Sequence, residues 1–183
     1  MNKLIIGAPF GNYIKVNGVT STLGTYTLHK RAGTLKRLWK ALSTIRYYPR
    51  IDGWMCKLGL PSPGISSLHS EDVKDCILSI HGFNTEEWNQ LYRAAKQLNP
   101  LAIELNYSCP NVNKVSLKEL YDILDNIAFD DNVIAKLPPV RWMDYAIPLK
   151  DNGVTKFHLC NTISTPGGSL SGKTLKQYSL WAV

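Results

Sequence analysis

The sequence predicts an α/β protein of βα repeats on a parallel sheet, on three observations. Short apolar runs alternate with amphipathic stretches from residue 76 onward. Each strand–helix unit takes about 25–30 residues, near the roughly 31 per unit of a full (β/α)8 barrel. The runs are short and largely apolar, as expected of strands covered on both faces. A chain of 183 residues holds about six such units, where a closed eight-fold barrel takes roughly 250 residues.

The elements follow in order. Lys3 to Ala8 reads as a short strand, and the Thr-, Val- and Tyr-rich run Val19 to Leu28 as a second. Leu35 to Leu42 reads as a helical stretch, and Gly59-Leu60-Pro61-Ser62-Pro63-Gly64 as a loop. Cys76 to Ile80 is the next strand. Thr85 then caps a helix running to about Leu98, with Glu86 and Glu87 in its first turn and Leu91, Ala94, Ala95 and Leu98 on its apolar face. Leu101 to Leu105 is a strand. Ser116 caps a helix with the stripe Leu117, Leu120, Ile123, Leu124 and Ile127. Val133 to Leu137 is a strand closed by Pro138-Pro139. Trp142 to Leu149 forms a helix that Pro148 ends or kinks. Thr155 to Cys160 is a strand, and Leu175 opens a last helix.

Composition narrows the classes of function. Hydrophobic residues make up 44% of the chain and charged residues 19%, which excludes a mostly disordered protein. No stretch approaches the roughly 18 apolar residues of a membrane span. The first residues lack the pattern of a secretory signal, so the expected location is the cytoplasm. The net charge of +7 favours anionic partners. Much of the excess lies between Lys30 and Lys57, where Trp39, Tyr47, Tyr48 and Trp54 interleave with basic residues. That segment reads as a solvated basic face, and nucleic acid is not the expected partner. Cys56, Cys76, Cys109 and Cys160 form no C-x-x-C pair and no zinc spacing, so they are expected as free thiols with no metal site.

In βα folds the functional groups gather where the strands end. Here one strand ends in Asn106-Tyr107-Ser108-Cys109-Pro110-Asn111, the next in Lys136-Leu137-Pro138-Pro139, and the next in Asn161-Thr162 followed by the Gly/Ser-rich loop Gly167 to Gly172. Amides, a thiol, a lysine and a glycine loop thus fall on one rim. Together with Thr27 to Gly33 (TLHKRAG) and Gly59 to Gly64 (GLPSPG), these stretches stand in a telling order: IELNYSCPNV at 103–112, AKLPP at 135–139, then Asn161-Thr162 with Gly168 to Gly172.

From about Thr20 onward the sequence resembles the dihydroorotate dehydrogenase family of FMN-dependent barrels. The resemblance implies a (β/α)8 TIM-barrel type, incomplete, with about six βα units, the last two missing, and residues 1–183 as a single domain. It implies FMN as cofactor and dihydroorotate and orotate as ligands. In the family a base takes a proton from carbon 5 while hydride passes from carbon 6 to flavin N5. Cys109 matches the base. Asn106, Asn111, Asn161 and Thr162 match substrate-binding positions, as do the backbone groups of Leu58, Gly59 and Leu60. Lys136, Thr25, Ser171 and Gly172 match cofactor-binding positions, Lys136 facing the flavin edge where negative charge develops. An incomplete ring also implies open strand edges, and with them self-association or a second chain that completes the barrel.

The sequence departs from the family at three places. Gly24 stands where the family has a lysine, Cys56 where it has a substrate-binding asparagine, and the units that hold the FMN phosphate are absent. Two other readings compete. Gly167 to Thr174 (GGSLSGKT) matches the phosphate-binding G-x-x-x-x-G-K-[ST] pattern and follows a strand, though no later strand supplies the acidic partner of a magnesium ion. A barrel relative without FMN would instead be a non-catalytic binding module.

Overall fold

The computed structural model describes residues 4–31, 39, 42–107, 109 and 115–177. Asn111 and most of the 35–42 stretch lie outside the described residues, as does the chain beyond 177.

Six strands form one parallel sheet in the order β1 (Ile5–Ile6), β2 (Thr20–Tyr26), β5 (Ile77–Ile80), β6 (Ala102–Asn106), β7 (Val133–Lys136) and β8 (Lys156–His158). The sheet curls as an incomplete barrel does, with β1 and β8 at its edges. Helices α2 (Thr85–Gln97), α3 (Leu117–Leu124) and α4 (Met143–Asp151) follow β5, β6 and β7, and a short α1 (Ser70–Val73) precedes β5. The predicted alternation of strand and helix is therefore the observed one.

Strand alternation explains the core. Leu78, Ile80, Ile103, Leu105, Val133 and Ala135 point to one face and pack in a single cluster with Trp88, Leu91, Ala95, Leu120, Ile123 and Leu149 from the helices. The intervening residues, among them Ser79, Glu104, Asn106 and Lys136, point to the other face and are buried there as polar groups. The strands are thus apolar towards the helices and polar within the curl. This differs from the uniformly apolar strands that the short runs suggest.

Three local expectations are corrected. Asn84, not Thr85, is the N-cap of α2: its side chain accepts the Glu87 N–H at 2.9 Å. Pro148 does not end α4, which continues to Asp151. Burial of Ala146, Pro148 and Leu149 holds the last turn, and the Asn152 N–H still reaches the Pro148 carbonyl at 3.2 Å. Third, Gly168–Gly172 is a strand rather than a loop. It is β10 of a second, antiparallel sheet ordered β3 (Arg46–Tyr48), β4 (Gly53–Cys56), β10, β9 (Ile163–Thr165). Strands β3 and β4 branch from the chain after β2, and β9 and β10 from the chain after β8, so both excursions start at C-terminal ends of barrel strands.

This second sheet removes the phosphate-loop reading. Such a loop needs free backbone N–H groups curled around an anion. Here Ser169 to Gly172 pair with Cys56 to Gly53 across a β-ladder. Lys173 is ion-paired with Asp52 at 3.0 Å, and the Thr174 hydroxyl donates to the Ile51 carbonyl.

Candidate functional site

The C-terminal rim of the parallel sheet is built by register. Asn106 on β6 pairs with Lys136 on β7, and Lys136 with His158 on β8. One pair lower, Ser79 on β5 faces Glu104 on β6. On β2 an irregularity between Leu23 and Tyr26 shifts the pairing with β5. Gly24 makes it: its φ is +118°, and a Cβ there would lie 2.4 Å from the Ser79 carbonyl oxygen. Asn12 pins this irregularity, donating to the Gly24 carbonyl at 2.8 Å and accepting its N–H at 2.9 Å. The Thr25 hydroxyl then meets the Ser79 hydroxyl at 3.0 Å.

A hydrogen-bond chain with one direction runs along this rim. The Thr162 N–H donates to Asn161 Oδ1 at 2.9 Å, and Asn161 Nδ2 to Asn106 Oδ1 at 2.8 Å. Asn106 Nδ2 donates to Thr25 Oγ1 at 3.0 Å. Ser79 gives its only proton to Glu104 Oε1 at 2.8 Å, so Thr25 must donate to Ser79. Every link points towards the Glu104 carboxylate, which also accepts from His158 Nδ1 at 2.6 Å and lies 3.7 Å from the Lys136 ammonium.

Glu104 is 2% exposed. Burial alone would raise its carboxyl, but the Lys136 charge, the His158 bond and charge and the Ser79 hydroxyl outweigh it and bring the value down to about 2. The carboxylate is therefore ionised and acts only as an acceptor.

Of the residues expected at the site, Asn106, Asn161, Thr162 and Thr25 are joined in this chain, and Lys136 is joined through Glu104. Cys109 is buried just beyond β6. Leu58, Gly59 and Leu60 lie half-buried in the loop after β4, with open space at the Gly59 Cβ position. Ser171 and Gly172 end β10 opposite Trp54 and Gly53, and the Ser171 hydroxyl donates to the Trp54 carbonyl at 3.3 Å. Among the described residues no hydrogen bond ties these last five to the chain.

Sequence reading missed Glu104, Ser79 and His158. A signal for Glu104 was present: a carboxylate two residues before Asn106 in an apolar strand shares its face. Ser79 and His158 carry no such signal. Their roles arise only from register with Glu104 and Lys136.

The groups could serve a planar ring of carbonyls and N–H groups: two carboxamides and a hydroxyl are joined in one chain, and an ammonium is held near its end by Glu104. A cavity of about 180 Å³ lined by Phe83, Trp88, Val115 and Ile123 involves none of these residues. No group of three or more His, Cys, Asp or Glu suited to a metal ion occurs among the described residues.

Over an alignment 212 positions long, the chain is 26% identical to the catalytic subunit of dihydroorotate dehydrogenase B (NAD(+)) from two strains of Bacteroides fragilis, covering 95% of this chain and 66% of that protein. It is 30% identical over 137 residues to the protein of the same name from Carboxydothermus hydrogenoformans, covering 65% of this chain and 45% of the relative. The similarities support a relationship to the dihydroorotate dehydrogenases. The chain spans just under two thirds of the length of the Bacteroides proteins and less than half that of the Carboxydothermus one. No family model matches it. No helix among the described residues is long and apolar enough to cross a membrane.

Proposed function

We propose that the chain is the catalytic part of an FMN-dependent oxidoreductase that converts dihydroorotate to orotate in pyrimidine biosynthesis, in the cytoplasm. One observation carries this reading: the Thr162–Asn161–Asn106–Thr25 chain, with Lys136 beside it, at the C-terminal ends of parallel strands. The residues suit a flavin and a pyrimidine. Lys136 and Thr25 would hold the flavin edge, and FMN, when bound, supplies the hydride acceptor. The carboxamides of Asn106, Asn111 and Asn161 and the Thr162 group orient the pyrimidine, each amide offering both donors and an acceptor. The Leu58–Leu60 backbone would receive its carboxylate, and Ser171 and Gly172 would help hold the cofactor. Cys109 would serve as the base that takes the proton from carbon 5. The open edges at β1 and β8 invite a second copy or a completing chain, which sedimentation of the purified protein tests.

The test is the flavin absorbance of protein incubated with FMN. Expected are a retained flavin band, bleaching with dihydroorotate, and bleaching slowed about 10²–10⁴-fold in Cys109→Ala. Protein that stays colourless at high FMN overturns the reading. Gly24 favours a second one: no side chain fits where the family's lysine stands, because a Cβ would lie 2.4 Å from the Ser79 carbonyl. A binding module without redox chemistry would retain ligand and fail to bleach.

A further inference from the structure

His158 belongs to none of the roles above. Its place is nonetheless defined on two sides. In register it is the next residue along the rim after Asn106 and Lys136. Through Nδ1 it binds Glu104 Oε2 at 2.6 Å.

The Glu104 carboxylate is ionised and has no proton to give, so the proton in that bond sits on His158 Nδ1. In the neutral ring the other nitrogen, Nε2, is then a lone-pair acceptor. A buried carboxylate that fixes the tautomer and orientation of an imidazole is the arrangement that sets up a histidine acceptor in hydrolase triads. Nε2 makes no hydrogen bond among the described residues, and the side chain is 33% exposed while Glu104 beneath it is 2% exposed. The ring's Cε1 faces Gly7, just after β1, where an added Cβ would sit at 3.9 Å. The carboxylate is thus sealed inside, and the ring it orients is one third exposed.

Lys136 offers the opposite function on the adjacent strand. Its ammonium has three protons and no acceptor. Lys136 and His158 are paired in register on adjacent strands about 4.8 Å apart, so a donor and an acceptor rise from the same face of the sheet. That pair is complementary to a carbonyl next to a ring N–H.

We propose that His158 and Lys136 together read the imide edge of a planar heterocycle at this rim, His158 Nε2 accepting the ring N–H and Lys136 donating to the neighbouring carbonyl. The inference rests on the reading that this rim holds a flavin or a pyrimidine. Both carry such an edge, and the experiment separates them. His158 is then a specificity-determining residue: it admits rings with a free N–H between carbonyls and rejects their N-alkylated forms.

The test has a ligand-free arm and a binding arm. In ¹⁵N-histidine-labelled protein at mildly alkaline pH, His158 is expected with Nδ1 protonated and Nε2 bare. A reversed tautomer overturns the proposal whatever binds. In the binding arm, calorimetry compares riboflavin with its N3-methyl analogue, and orotate with 3-methylorotate. Wild type is expected to lose about tenfold in affinity on methylation of the ligand that faces His158, in line with one hydrogen bond of about 1.4 kcal/mol. In His158→Leu and His158→Phe, both checked for folding by circular dichroism, that penalty is expected to vanish. Loss of the penalty for riboflavin alone assigns the flavin edge, and for orotate alone the pyrimidine edge. A wild type that binds with no methyl penalty, or a penalty that both variants retain, overturns this inference and leaves the proposed function standing. A wild type that binds neither parent ligand overturns the proposed function and this inference with it.

Discussion

Tyr107 shows how tightly the residue after Asn106 is held. Its ring is fully buried and stacks on Trp88 at 4.9 Å between centroids. Burial raises its hydroxyl far above the ordinary phenol value, and the oxygen has no hydrogen-bond partner among the described residues. A buried hydroxyl without a partner costs about 1–3 kcal/mol. Tyr107→Phe should therefore leave stability unchanged or raise it by about 1 kcal/mol. Urea unfolding of the two proteins measures this, and a loss above about 1 kcal/mol would reveal a partner for the hydroxyl. Nearby, His81 has one nitrogen satisfied, Nδ1 at 2.7 Å from the Asn106 carbonyl, and Nε2 buried without one. The two aromatic residues brace the strand end that presents Asn106. Their packing was not visible in the sequence, because neither lies on a periodic stripe that names its neighbour.

At the scale of elements, the helices owe their starts to local chemistry that the sequence displays. Ser116 and Glu119 form a reciprocal capping box at the start of α3: the Glu119 N–H donates to the Ser116 hydroxyl at 3.2 Å, and the Ser116 N–H to the Glu119 carboxylate at 2.8 Å. Ser116→Ala should cost about 1 kcal/mol, read as a lowered urea midpoint with unchanged slope. Strand–helix order was equally legible, because apolar runs and stripes of different period announce themselves. The second sheet was not. Its strands β3 and β9 have three residues each, and β10 (GSLSG) holds a single large apolar residue between serines and glycines. Pairing with β4 makes β10 a strand, and that pairing is a contact across more than a hundred residues. The aromatic and basic segment around Tyr47 and Trp54 likewise resolves into a cross-strand pair, with ring centroids 5.1 Å apart. At the rim, Asn106, Lys136 and Asn161 were legible as residues at strand ends. Glu104, which connects them, stands inside an apolar run, and the face it shares with Asn106 is its one mark in the sequence.

Across the whole molecule, Glu104 is the point where the strands are tied. It sits on β6 and binds Ser79 on β5, Lys136 on β7 and His158 on β8, so one carboxylate joins four of the six parallel strands. Its charge makes that tie dependent on pH. The ordinary carboxyl value of 4.5 falls to about 2 in the fold, a difference equivalent to about 3 kcal/mol. Because the folded value is depressed, this stability is fully present above 4.5 and is lost as pH falls towards 2. His81 adds an earlier loss. Burial chiefly lowers its value below the ordinary 6.5, so the fold holds a neutral ring and loses stability as pH falls below 6.5. Urea midpoints should therefore decline gently below the histidine range and steeply below 4.5. Glu104→Gln should flatten the second decline and, at neutral pH, cost about 3–5 kcal/mol, since it leaves the Lys136 ammonium buried without its counter-charge. Adding Lys136→Met should return part of that loss, because the ammonium that had lost the Glu104 charge is then no longer buried. If the double variant were no more stable than Glu104→Gln alone, the ion pair would not be what Glu104 contributes. The hydrogen bonds from Ser79 and His158 would then carry the tie between the strands.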